Sequence, residues 1–184
     1  KELVAYAKAN PGKLSYASTG LGSTNQLAAE FLGFESGGLK MIHVPYRGGA
    51  PAIADVAAGN VDLFFGNVSE LMSLANAGKV RVLALAATKP TPLAPDLPLL
   101  TKDIPALDIN NWFGIFGPAG LPPEILAGLS KLFISAIDDP SNKEALAKQG
   151  LESLGQDAAA FKAYILKDRE RWAKVVKQGN IKAE

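Results

Sequence analysis

The sequence contains no cysteine, which excludes disulfide scaffolds, thiolate metal centres and thiol nucleophiles in one step. It contains one histidine, His43, so a histidine zinc site or a Ser-His-Asp triad has at most one candidate. No apolar run approaches the roughly 20 residues that cross a bilayer, so direct membrane insertion is not expected. Neither sign of charge is in excess: 19 basic and 18 acidic side chains leave a net +1. A nucleic-acid partner would need a clustered basic face, and none is expected. Internal repeats and low-complexity segments are also lacking. These gaps leave histidine-based metal sites and a histidine triad with little support. The missing cysteines leave the cellular compartment open.

What remains is an ordinary soluble composition, 48% apolar and 20% charged over 184 residues. That length supports one sizeable core or two small lobes. Residues 1–10 read as a helix with Leu3, Val4 and Ala7 on one face, stopped by Asn10-Pro11-Gly12. No capping residue and no signal peptide precede it, so the natural chain is expected to begin upstream.

Two periodicities alternate along the first part. Residues 13–18, 40–44, 61–65 and 80–87 read as strands, and 23–36, 50–58 and 67–77 read as helices. Leu27, Ala28, Phe31 and Leu32 form one buried stripe on the second helix. This order predicts an α/β fold built of βαβ units with a parallel sheet. Pro90, Pro92, Pro95, Pro98 and Pro105 make residues 88–105 a rigid extended connection.

Beyond it, 111–116 reads as a strand ending at Gly117-Pro118. A helix follows from Pro122-Pro123 to about residue 137, with Ile125, Leu126, Leu129, Leu132, Phe133 and Ala136 turned inward. Asp139-Pro140 opens the next helix, and Asp157 caps the last. In that last helix Phe161, Ile165, Trp172 and Val176 align, and 167–171 face water. Trp112 and Trp172 are expected in the core.

Three turns stand out chemically. Ser18-Thr19-Gly20-Leu21-Gly22-Ser23 lies between a strand and a helix, where free N–H groups, hydroxyls and a helix N-terminus suit a carboxylate or phosphate. The same residues also suit an ordinary strand-to-helix turn. Asn25 replaces the third glycine of a dinucleotide fingerprint, and no Gly-Lys-Ser/Thr follows, so nucleotide-binding enzymes are disfavoured. Pro45-Tyr46-Arg47-Gly48-Gly49-Ala50 is a second such turn, and Gly66-Asn67 a third. In a parallel sheet all three fall at the carboxyl edge, where open α/β folds bind ligands. Arg47 either pairs with a carboxylate or is solvated, Tyr46 lines a pocket or covers a strand end, and Asn67 is a contact or a helix cap. His43 reads as a hydrogen-bonded structural residue. Glu30, Asp55 and Asp62 show no paired-carboxylate arrangement, and no catalytic residue is assigned.

The order of these pieces resembles the tripartite tricarboxylate transporter receptor family, also called Bug receptors. The matching stretches are 16–23, His43-Val44-Pro45-Tyr46-Arg47-Gly48, 59–63, 78–84, Trp112-Phe113-Gly114, Pro118-Ala119-Gly120 and 172–177. The resemblance implies a type II periplasmic binding fold, in which two α/β domains close on a di- or tricarboxylate and deliver it to membrane permease subunits. It implies ligand contacts at Ser18, Thr19, Gly20, Gly22, Ser23, Tyr46, Gly48, Gly49, Gly66 and Asn67, with no cofactor and no metal. Many relatives carry aspartate where Gly66 stands, so ligand preference does not transfer there. Residues 1–107 then correspond to a nearly complete domain II and 108–184 to the C-terminal part of domain I. A periplasmic location with a signal peptide upstream is expected, as is weak or absent ligand binding by this length of chain. The alternative is the effector-sensing domain of a transcription regulator with the same two-lobed fold.

Overall fold

The computed structural model describes residues 1–181 and divides into two compact units. The first comprises Lys1–Asn111 and the segment from Ala173 onward; the second is Trp112–Trp172. In the first unit the chain runs through α1 (Glu2–Ala9), β1 (Ser15–Ser18), α2 (Thr24–Glu35), β2 (Ile42–Pro45), α3 (Gly49–Ala57), β3 (Leu63–Phe64) and α4 (Val68–Asn76). A short 3-10 turn follows at Leu100–Lys102. The second unit contains α5 (Pro123–Asp138), α6 (Pro140–Lys148) and most of α7 (Ala158–Gly179).

β1 is the central strand of a parallel sheet in the order β2-β1-β3. It pairs with β2 from Ser15↔Ile42 to Ser18↔Pro45, and with β3 at Tyr16↔Leu63 and Ala17↔Phe64. Successive side chains of a strand point to opposite faces, which sends Tyr16 and Ala17 into separate cores. Tyr16 packs with Ala7, Leu14, Ala29 and Leu63, under α1 and α2. Ala17 packs with Ala52 and Val61, under α3. Both faces of β1 are covered in this way, which fits an apolar pair at its centre, with a serine at either end. Asp62 fastens the start of β1, accepting from Ser15 N and Ser15 Oγ at 2.7 Å each while its own amide donates back to that hydroxyl.

Several sequence expectations are corrected. Residues 80–87 do not form a strand: Leu85 alone bridges, to Leu99, and its amide donates to Pro98 O. An apolar extended run becomes a strand only when a neighbouring ladder takes its amides, and here the proline-rich segment takes only that of Leu85. Residues 111–116 likewise form no ladder among the described residues, and Phe113 is 74% exposed. On α5, Ile125, Leu126, Leu129, Leu132 and Phe133 are exposed, although the helix itself spans the expected residues.

The two tryptophans are half-buried, not core; both indole N–H groups donate to Asp168 Oδ2, at 2.9 Å from Trp112 and 3.2 Å from Trp172. Asp168 and Arg171 are therefore drawn in from solvent as an ion pair at 2.6 Å, with the guanidinium over the Trp172 ring. On the last turns of α7 the buried residue is Val175, at 1% exposure, and not Val176, at 36%. Burying a valine is worth about 1.5–3 kcal/mol. Val175→Ala is expected to lower the unfolding free energy by about that amount, and Val176→Ala by less than about 0.5 kcal/mol. Urea denaturation of the two variants checks the assignment.

Candidate functional site

The parallel register brings the three turns noted in the sequence to one edge of the sheet. The β1–α2 turn, residues 18–23, follows the central strand. The β2–α3 turn, 46–49, and the β3–α4 turn, 66–67, flank it. A Cβ built on Gly20 would lie 3.9 Å from Tyr46 O, so the first two turns touch. Asn25 joins the first to the third: its Oδ1 accepts from Thr19 Oγ1 at 2.7 Å and its Nδ2 donates to Phe65 O.

Within the first turn most polar side chains are already engaged. Ser18 is fully buried; its Oγ accepts from Gly20 N, donates to Gly20 O and lies 2.6 Å from His43 Nε2. Ser23 is the N-cap of α2, accepting from Gln26 N at 3.5 Å and donating to Gly20 O at 2.7 Å. Gly22 N donates to Gln26 Oε1 at 2.7 Å. Ser18 and Ser23 thus shape the turn, and the first-turn amides of α2 at Thr24 and Asn25 have no acceptor among the described residues.

The second turn differs. Gly48 has φ 113°, a region that L residues rarely enter, and this places the N-terminus of α3 toward the same edge. Among the described residues the amides of Arg47, Gly48, Gly49 and Ala50 have no acceptor, leaving a run of donors at a helix N-terminus. Tyr46 does not open into this run: its hydroxyl donates to Asp55 Oδ2 at 2.6 Å. Asn67 is the N-cap of α4 without a side-chain cap bond; it donates to Glu70 and accepts from Asn111. At Gly66 a Cβ would fall 2.5 Å from Phe64 Cε1, so any side chain there requires that ring to move.

The carboxylates near this edge all hold something. Glu30 accepts from Tyr16 Oη at 2.5 Å, and burial followed by that bond pushes the Tyr16 phenol far above its ordinary range. The Tyr46 hydroxyl and then Asn60 hold Asp55 below the usual carboxylate range, and Asp55 in turn raises Tyr46. His43 stacks on Tyr16 at 4.9 Å, and burial lowers its pKa against a smaller opposing pull from Glu30. What the edge offers a ligand is therefore backbone N–H, chemistry that grips an anion and transfers no proton. Asn25 and Gln26 were missed as site residues in the sequence. Their signal was two amides in the first turn after the Ser23 cap, with Gln26 and Glu30 four residues apart on a helix face otherwise apolar.

A family model described as tripartite tricarboxylate transporter family receptor matches residues 1–181. The chain belongs to this receptor family. One relative, the "UPF0065 protein in tcbD-tcbE intergenic region" of a Pseudomonas sp., is 32% identical over 184 residues, covering 99% of this chain and 54% of the relative. A solved R. palustris structure, with adipate, superposes with a TM-score of 0.85 at 30% identity, over 98% of this chain and 60% of that one. Periplasmic binding protein BugD superposes at 0.82 with 28% identity, over 100% of this chain and 62% of its own. The chain thus spans about half the length of the Pseudomonas relative and about 60% of the two solved chains. Its α/β fold with a parallel sheet is that of the periplasmic binding proteins of this receptor family, of which it represents a part. The family is one of receptors and BugD is a binding protein; neither is an enzyme. Among the described residues no helix is long and apolar enough to cross a membrane.

Two expectations follow for this edge of the receptor fold. Gly48→Ala meets a strained φ and is expected to cost about 1–3 kcal/mol, whereas Gly49→Ala, with nothing within 4 Å and an ordinary φ, is neutral or stabilising by up to about 1 kcal/mol; thermal melts separate them. Asp55 has a folded pKa below its unfolded value, so its contribution is present above the unfolded pKa and lost as pH falls through the folded one. Tyr46→Phe is therefore expected to be less stable than the parent at pH 7 and to converge on it as pH falls below the ordinary carboxylate range of about 4, read by denaturant titration at falling pH.

Proposed function

We propose that the protein is a periplasmic receptor that captures a small carboxylate, a di- or tricarboxylate or similar organic acid, and delivers it to membrane permease subunits of a tripartite transporter. The observation behind this reading is the run of open amides from Arg47 to Ala50 beside the Gly20–Gly22 turn, at one sheet edge. Family membership and the neighbour solved with adipate favour a carboxylate as the anion, and favour a receptor over the effector-sensing alternative. In this reading residues 1–107 form the ligand-binding lobe, domain II, and 108–184 part of domain I. Thr19, Gly20, Gly22, Gly48, Gly49, Gly66 and Asn67 line the ligand, while Ser18, Ser23 and Tyr46 hold the turns that present them.

Magnitudes set the expected affinity. A micromolar ligand needs about 8 kcal/mol. A helix terminus supplies about 0.3–2 kcal/mol, and each charge-assisted hydrogen bond about 1.5–3 kcal/mol. Such terms approach the total only where water is shut out, and one sheet edge leaves the ligand wet on its far side.

Binding by this chain alone is expected near the millimolar range, about 4 kcal/mol. Titration of the 15N-labelled chain with adipate, and with neutral adipamide as control, tests the reading. Amide shifts at 19–25, 46–50 and 66–69 with adipate alone are expected. Equal shifts with adipamide, or shifts confined to other residues, would overturn it.

A further inference from the structure

Behind the first turn lies a chain of hydrogen bonds whose direction is fixed from one end. A backbone N–H can only donate, so the atom of Gln26 that faces Gly22 N is the carbonyl oxygen, at 2.7 Å. The Gln26 amino group then faces His43 Nδ1, at 3.4 Å. Nδ1 must accept, which puts the ring proton on Nε2. Nε2–H donates to Ser18 Oγ at 2.6 Å, and the Ser18 hydroxyl donates in turn to Gly20 O at 3.1 Å. Every member points one way only while the ring is neutral.

A second proton on His43 has one place to go, Nδ1, where it meets the donating amino group of Gln26. The conflict is relieved when the Gln26 amide turns over or swings away. Turning over would set its amino group against Gly22 N, donor against donor. Either movement ends the Gly22 bond. We propose that His43 and Gln26 are positioning residues for the ligand turn: the neutral ring keeps Gly22 N–H capped by Gln26, and the protonated ring releases it to an incoming carboxylate.

The groups around the ring fit such a device. Tyr16 from β1 stacks on it at 4.9 Å and is held neutral. Glu30 from α2, already accepting from Tyr16, favours the charged ring. Burial opposes the charge more strongly, so the switch falls on the acid side of an ordinary imidazole. Gln26 is itself buried, so its amide cannot exchange partners with bulk water at little cost. The inference rests on the carboxylate reading of this turn for its ligand, but not for the coupling itself.

With one histidine in the chain, the ring is observed without ambiguity. Long-range 15N–1H correlation of the imidazole, followed with the Gly22 amide from about pH 8 to pH 5, forms the test. The expected result is a proton on Nε2 at high pH, a Gly22 resonance that moves with the same midpoint as the ring, and weaker Gly22 protection below it, measured as the exchange rate relative to the intrinsic rate at each pH. In Gln26→Glu the carboxylate accepts from both sides, so the ring midpoint rises and Gly22 stays capped throughout. Adipate is expected to bind several-fold tighter below the midpoint in the parent and to lose that dependence in Gln26→Glu; comparing the two cancels the ionisation of adipate itself. A ring proton on Nδ1, or a Gly22 amide that ignores the ring titration, overturns the proposal, and the parent chain alone decides this. Adipate shifts at 19–25 of equal strength above and below the midpoint overturn the release while leaving the carboxylate site standing. A turn that titrates with His43 yet ignores adipate at every pH overturns the carboxylate site instead.

Discussion

Pairing of β1 on both of its edges is the constraint from which the larger unit follows. Its four residues, Ser15–Ser18, pair with β2 on one side, and Tyr16 and Ala17 also pair with β3 on the other, all parallel. Parallel strands must leave the sheet at the same end, so the three turns that follow them have to lie side by side. The helices between them have to cross back over the faces, which buries Tyr16 on one side and Ala17 on the other. The site edge is a consequence of that pairing and not a separate feature added to it.

Within this frame the polar groups divide into those that hold and those that remain open. Asp62 holds the start of β1, Glu30 holds Tyr16, Asp55 holds Tyr46, and Ser18 and Ser23 both converge on Gly20 O. A buried group left without a partner costs about 1–3 kcal/mol, which is the force behind this thorough pairing. The donors left over are backbone amides at helix starts, where no intrahelical acceptor exists. A surface of that kind recognises anions by geometry, in keeping with a receptor family.

The turns were legible because their signals are local. Gly20, Gly22 and Gly48 all adopt positive φ, and Asp139-Pro140 opens α6 with the Asp139 side chain accepting from Ser141 N. The alternation of strand and helix through residue 77 was legible for the same reason, to within a few residues at each end. The link from Gly22 through Gln26 to His43 was not, because it joins residues 21 apart in sequence. Nor was the partnership of Trp112 and Trp172 on Asp168, which spans 56 residues. Apolar character alone suggested core for both rings, whereas their N–H groups required an acceptor and found a charged one.

By itself the sequence determined the helices, the turn positions and the parallel α/β class, since periodicity, glycine and capping act within a few residues. It also narrowed the chemistry: with no cysteine and one histidine, thiol nucleophiles and sites of several histidines are excluded. Tertiary structure decided which apolar runs became strands: 63–64 found a neighbour in β1, while 80–87 and 111–116 found no ladder. It decided that Val175 and not Val176 is buried, for the two lie about 100° apart on the helix and only the surface they meet distinguishes them. It also decided which donors stay open, because a hydrogen bond is satisfied by whatever the fold brings within about 3 Å, and sequence distance has no part in that.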